Sequence, residues 1–129
     1  MTIKMISTDK APAPAGHYSQ GVVVGNMIYI AGQLPIRPDG TGLMRADFET
    51  QAEQAISNVL AILKEAGGEE AQLVRVTAYI VGAEHWGIFN EIYARVLGED
   101  ARPARTIVPV KEVHYGYQVE IDAVGAIPG

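Results

Sequence analysis

Apolar residues along this chain repeat with two periods, and the changes between them mark out its elements. Val22–Val24 and Met27–Ala31 are short apolar runs joined by Gly25-Asn26, the two-residue signal of a β-hairpin. Upstream, "KMIS" (4–7) reads as a brief first strand and "APAPAG" as a turn-rich connector. Phe48, Ala52, Ala55, Ile56, Val59, Leu60 and Leu63 recur at helical spacing behind Asp47, an N-cap with Glu49 in the first turn, and Gly67-Gly68 ends that helix. Val74–Val81 predicts a strand. Glu84–Leu97 predicts a second helix, with Ile88, Ile92 and Val96 on one stripe and Gly98 after it. Thr106–Val110 and Tyr117–Ala126 predict the last two strands; Pro109, with no N–H to donate, belongs at a sheet edge or a bulge. The order β-β-β-α-β-α-β-β predicts an α+β sandwich, with two helices on one face of a mixed six-stranded sheet.

Two helices cover one sheet face, so the other face should alternate with polar residues. "VVV" and "MIYIA" do not alternate. An apolar face without cover in its own chain is expected to bury against another copy, which predicts a homo-oligomer meeting through these faces. The segment "GQLPIRPDGTGLMRAD" (32–47) is too rich in Pro and Gly for a regular element; a loop that long in a small domain usually serves function or a partner.

With 129 residues, the chain is expected to form one domain over 1–129. Hydrophobic residues at 48% against 19% charged argue for a packed core rather than disorder. The net charge of −5 comes without any Lys/Arg run, so the footprint of a nucleic-acid binder is missing. No cysteine is present, which removes disulfides, thiolate catalysis and cysteine-ligated metals. The opening "MTIKMISTDKAPAPAGH" lacks the apolar centre of a signal peptide, and Gly25-Asn26 breaks the longest apolar stretch. The expectation is a cytoplasmic protein with no membrane partner.

Strand parity then narrows the chemistry. In the last strand Val119, Ile121 and Ala123 share one face, while Gln118, Glu120 and Asp122 share the other. In "RPARTIVPV" (102–110), Thr106, Val108 and Val110 alternate with Arg105, Ile107 and Pro109. If the branched residues Thr106, Val108 and Val110 meet the helices, Arg105 lies with Glu120 and Asp122 on the uncovered face. Two readings of Arg105 stay open. One is a structural ion pair to Glu120 or Asp122. The other is a carboxylate receptor, since the planar guanidinium makes two parallel hydrogen bonds to a carboxylate, and a nearby glutamate can orient or deprotonate a water. His17, His85 and His114 have no metal-ligand spacing, so no metal site is expected, and His85 is read as a surface residue. Ser19 and Ser57 lack a visible base, "GGEE" (67–70) is a helix stop, and Tyr93 is assigned to packing.

"GHYSQG", "VVVGNMIYIAGQLPI", "FNEIY", "RPARTIVPV" and "VEIDAVGA" together resemble the YjgF/RidA family of reactive-intermediate (enamine/imine) deaminases, nearly end to end and in the right order. The resemblance implies a chorismate-mutase-like fold, a homotrimer with clefts between subunits, and cofactor-free hydrolysis of 2-imino acids to 2-keto acids and ammonia. It also implies roles for single residues. Arg105 would grip the substrate carboxylate and Glu120 would position the attacking water. Tyr18 would stand at the cleft mouth and Asn90 would supply a polar group from the second helix. Gly32 and Ile107 would line the pocket with main chain. The chain departs from the family pattern at His17 (proline there), Ala31 (serine), Ile107 (cysteine) and Val113-His114 (leucine-proline). Ala31 and Ile107 make the pocket wall more apolar; His114 and Tyr115 are either a new polar rim or a surface loop. Other readings are a non-catalytic carboxylate-binding protein, a ribonuclease, which the acidic balance opposes, and another hydrolase or deaminase of the wider family.

Overall fold

The computed structural model describes residues 2–128. Strands β1 (Ile3–Ile6), β2 (Gly21–Val24) and β3 (Met27–Gln33) precede helix α1 (Phe48–Glu65). Then come β4 (Leu73–Val81), α2 (Trp86–Leu97), β5 (Ala104–Val110) and β6 (Val119–Ala126). They form one six-stranded sheet in the order β1-β2-β3-β6-β4-β5, antiparallel except for the β4–β5 pair. Both β3 and β4 run antiparallel to β6, so α1 and α2 each connect parallel strands. The two crossovers move across the sheet in the same direction, from β3 to β4 to β5. Right-handed crossovers then place both helices on the same face.

The core lies between that face and the helices. Ile28, Ile30, Val76, Ala78, Ile80 and Ile121 are no more than 4% exposed, packed with Ala52, Ile56 and Leu63 of α1 and Phe89 and Ile92 of α2. The predicted cap holds: Asp47 accepts from the Thr50 N–H at 2.8 Å, and these bonds hold its carboxyl below the usual range. Three buried amides tie the irregular segments to this frame. Gln20 donates to Thr8, Ala11 and Pro12 carbonyls, and Asn58 donates to Leu34 and Ile36. Gln51 donates to the Met44 and Ala46 carbonyls while accepting from Gln118 N–H. The long Pro/Gly-rich loop folds back on itself through an Ile36–Gly42 bridge, and side chains of α1 fasten both of its arms.

The opposite face carries Ile3, Met5 and Tyr29 at one end, all exposed, and Tyr79, Glu120 and Asp122 further across. No element among the described residues covers it, as the unalternating strands predicted. Some bounds differ from expectation. β3 runs on to Gln33 through an irregularity between Ile30 and Gln33, because Gly32 lets the strand bend without losing its pairing to β6. A tight turn at Ala83–His85 precedes α2, and β6 begins at Val119 rather than Tyr117.

Candidate functional site

On the open face, Glu120 of β6 stands at the junction of two clefts. One, about 280 Å³, is bounded by Tyr18, Ala31, Gly32, His114, Tyr115 and Glu120; the other, about 360 Å³, by Tyr79, Val110, Glu112, His114 and Glu120. A Cβ on Gly32 would lie 2.6 Å from Glu120 Oε2, so the carboxylate reaches its position only because residue 32 has no side chain. Tyr18 is half-exposed at the mouth, its hydroxyl accepting from the Ala15 N–H at 3.1 Å. His114 Nδ1 stands 3.5 Å from Glu120 Oε1. Tyr18, Gly32 and Glu120 are thus brought together.

Arg105, Asn90 and Ile107 are not with them. Arg105 is in register with Val76, and Ile107 with Ala78, both on the helix-facing side. Asn90 Oδ1 accepts from Arg105 Nη1 at 2.9 Å. The guanidinium carbon lies 4.8 Å over the Tyr93 ring and 5.7 Å over that of Trp86. A cleft between α2 and β5, bounded by Asn90, Tyr93, Gly98, Arg102 and Arg105, opens beside it. This corrects the expectation that Arg105 shares a face with Glu120 and Asp122. Both parities of β5 are apolar enough to face a core; α2 crosses above β5, and it is the Arg105 stem and Ile107 that it covers, leaving Thr106, Val108 and Val110 on the open side. The in-chain ion pair is corrected with it: among the described residues Arg105 makes no salt bridge.

The electrostatics of the two halves differ. Burial pushes the Tyr93 phenol up to about 12 against the opposing pull of Arg105, so a neutral ring seats the guanidinium and its charge stays available. One Nη1 bond goes to Asn90, which leaves further donors of the fork for a ligand. Burial also raises the Asp122 carboxyl, with Arg75 opposing. Among the described residues, no group of three or more His, Cys, Asp or Glu is placed to hold a metal ion. His85, expected at the surface, is instead half-buried, stacked on Phe48 at 4.2 Å between ring centres and bonded through Nδ1 to Val81 O.

Sequence reasoning missed the aromatic seat of Arg105. Trp86 carries no signal of its own in the sequence, and Tyr93, expected to serve packing alone, is buried and also carries the guanidinium. The signal was present: Trp86, Asn90 and Tyr93 stand at i, i+4 and i+7, one stripe of α2.

Fold and site together define a small α+β domain with a cationic seat at its edge strand and a carboxylate cleft on its bare face. The sequence profile of the family described as Endoribonuclease L-PSP matches residues 8–127, and the chain belongs to this family, also called YjgF/RidA. A RutC family protein of Pyrococcus abyssi is 38% identical, covering 96% of this chain and 97% of its own. The 2-iminobutanoate/2-iminopropanoate deaminase of Escherichia coli K12 is 37% identical, covering 94% and 95%. Among solved structures, E. coli TdcF with bound serine superposes with a TM-score of 0.91 at 31% identity, covering 97% of this chain and 99% of that one. No helix among the described residues is long and apolar enough to cross a membrane.

Proposed function

We propose that this protein hydrolyses reactive 2-imino acids to 2-keto acids and ammonia, in clefts formed where two copies of the chain meet, with a homotrimer as the assembly. One observation carries the reading: the two halves of the site lie on opposite faces of one sheet. Glu120 is in register with Tyr79, and Tyr79 with Val108, three residues from Arg105. Two strand spacings and three residues of rise put the Arg105 and Glu120 Cα atoms roughly 14 Å apart, with side chains pointing in opposite directions. A three- or four-carbon imino acid cannot bridge that. A second copy docked on the bare face can bring its Arg105 edge to the Glu120 cleft of the first, which also gives the uncovered apolar residues a partner.

In that arrangement the guanidinium, held by Asn90, Tyr93 and Trp86, grips the substrate carboxylate. The outer edge of β5 supports it. Pro109 costs the sheet nothing if it points outward, and alternation then turns the Ile107 main chain outward too. Glu120 holds a water against the imine carbon. General base help of this kind contributes about 10²–10⁴-fold, enough for an electrophile that hydrolyses unaided. The deaminase among its relatives and the serine bound by TdcF support a small α-substituted carboxylate as guest. Ammonia release from 2-iminobutanoate generated in situ tests the reading, with Arg105→Ala as control. Ligand binding without ammonia release would leave a receptor instead of an enzyme.

A further inference from the structure

We infer that His114 is a second acid–base group of this site, taking up the proton that Glu120 removes from water and returning it to the departing nitrogen. This rests on the deaminase reading and assigns a role to a side chain that reading does not use. His114 and Glu120 line both open-face clefts together, and Nδ1 faces Oε1 at 3.5 Å. In the single chain the glutamate side chain is largely enclosed, at 22% exposure, whereas the imidazole is 71% exposed, and Nε2 has no hydrogen-bond partner among the described residues. The ring is held by a short turn, His114–Gly116, in which Tyr115 adopts a left-handed φ of 60° and lies 5.9 Å from the imidazole. The other titratable groups bordering these clefts are Glu112, Tyr79 and Tyr18.

The chemistry gives such a group a use. As water adds to the iminium carbon, the C–O bond forms, the C=N π pair moves to nitrogen, and one water proton goes to Glu120. The resulting carbinolamine collapses only after its nitrogen is protonated and its hydroxyl proton is removed. A carboxyl acting alone must first pass its proton to the amine before it can take the second, whereas a neighbouring imidazole frees it earlier. His114 accepts the first proton at Nδ1, so Glu120 is ionised again. The imidazolium then protonates the amine. Glu120 takes the hydroxyl proton as C=O forms and C–N breaks, and ammonia leaves. One water is consumed, and the remaining proton passes to ammonia or solvent.

The test uses the intact protein with 2-iminobutanoate as substrate, comparing wild type, His114→Ala and His114→Gln. Loss of the relay is expected to lower kcat about 10- to 100-fold in both variants, with KM held within about twofold. Added imidazole should restore turnover in the alanine variant, where it fits the vacated space, and not in the glutamine variant. Melting temperature and native mass spectra of both variants are expected to match wild type, so the loss is neither misfolding nor disassembly. Wild-type kcat in His114→Ala, or wild-type turnover by His114→Gln, would overturn the relay. Failure of the parent reading looks different: wild type itself would release no ammonia, or Arg105→Ala and Glu120→Gln would retain full activity, whatever His114 does.

Discussion

If the arginine and the glutamate of one site come from different copies, two inactive variants should repair each other. Arg105→Ala removes the charge-assisted grip on the carboxylate, a loss of about 2–5 kcal/mol, or about 30-fold to several thousand-fold in kcat/KM. Glu120→Gln keeps the shape and removes the base, for a loss of about 10²–10⁴-fold. Each parent therefore keeps about 3% of wild-type activity or less. When the two chains are co-expressed and assemble at random, a complete site needs the arginine of a Glu120→Gln chain beside the glutamate of an Arg105→Ala chain. About one interface in four meets that condition, so about a quarter of wild-type activity should return. The assay is ammonia release, with native mass spectrometry to show that mixed oligomers are present. The opposite-face geometry makes this prediction sharp, since Arg105 is in register with Val76 on the helix side and Glu120 with Tyr79 on the other. Mixed oligomers that stay at the level of the parents would refute it, because the site would then lie within one chain.

The remaining expectations concern single positions. Gly32→Ala places a methyl 2.6 Å from Glu120 Oε2 and should displace the carboxylate; a shift of about 1 Å costs on the order of 10²-fold in kcat, read by steady-state kinetics. Asn90→Ala removes the 2.9 Å bond that orients the guanidinium, worth about 1.5–3 kcal/mol, and should raise KM by at least about tenfold with a smaller effect on kcat. Gln51→Leu leaves the Gln118 N–H and the Ala46 and Met44 carbonyls without their partner in the interior; at about 1–3 kcal/mol for a group left unsatisfied, urea unfolding should show a clear drop in midpoint. Asp122 has a carboxyl raised by burial, so the folded chain binds more protons than the unfolded one between the ordinary carboxylate value of 3.8 and the raised folded value. Stability contributed there falls as pH rises through that window and stays lost above it. Asp122→Asn should therefore flatten the slope and raise the urea midpoint at pH 7, and an unchanged profile would count against the burial.

Much of the fold was legible because its signals are local. The Gly25-Asn26 hairpin and the Asp47 cap depend on residues within a few positions, and both stand as expected. The bare apolar face was legible too, since Val22–Val24 and Met27–Ala31 lack the alternation of a half-solvated sheet. The loop over 34–46 was not, because it is fastened to the frame by Gln51 and Asn58, buried amides of α1 whose residue types read as polar surface. Nothing in their spacing distinguishes a buried amide with three partners from a solvated one.

The parity of β5 is the instructive failure, because the rule applied was sound and the orientation was wrong. Alternation shows that Arg105 and Thr106 face opposite ways; it does not say which way is in. Choosing the β-branched set for the core assumed that a guanidinium would avoid the helices. At an edge strand that assumption weakens: the arginine stem packs under α2 while its head reaches the rim, between Tyr93, Trp86 and Asn90. The same position solves a functional problem. A charge seated on the helix side of the edge strand is held rigid by its own chain and can be presented past that chain's boundary. Glu120, near the middle of the sheet, stays fixed and waits for what is brought to it. Separating the two groups across the sheet also keeps them from neutralising each other within one chain, and under the proposed function each is then left for a substrate that joins them where copies meet.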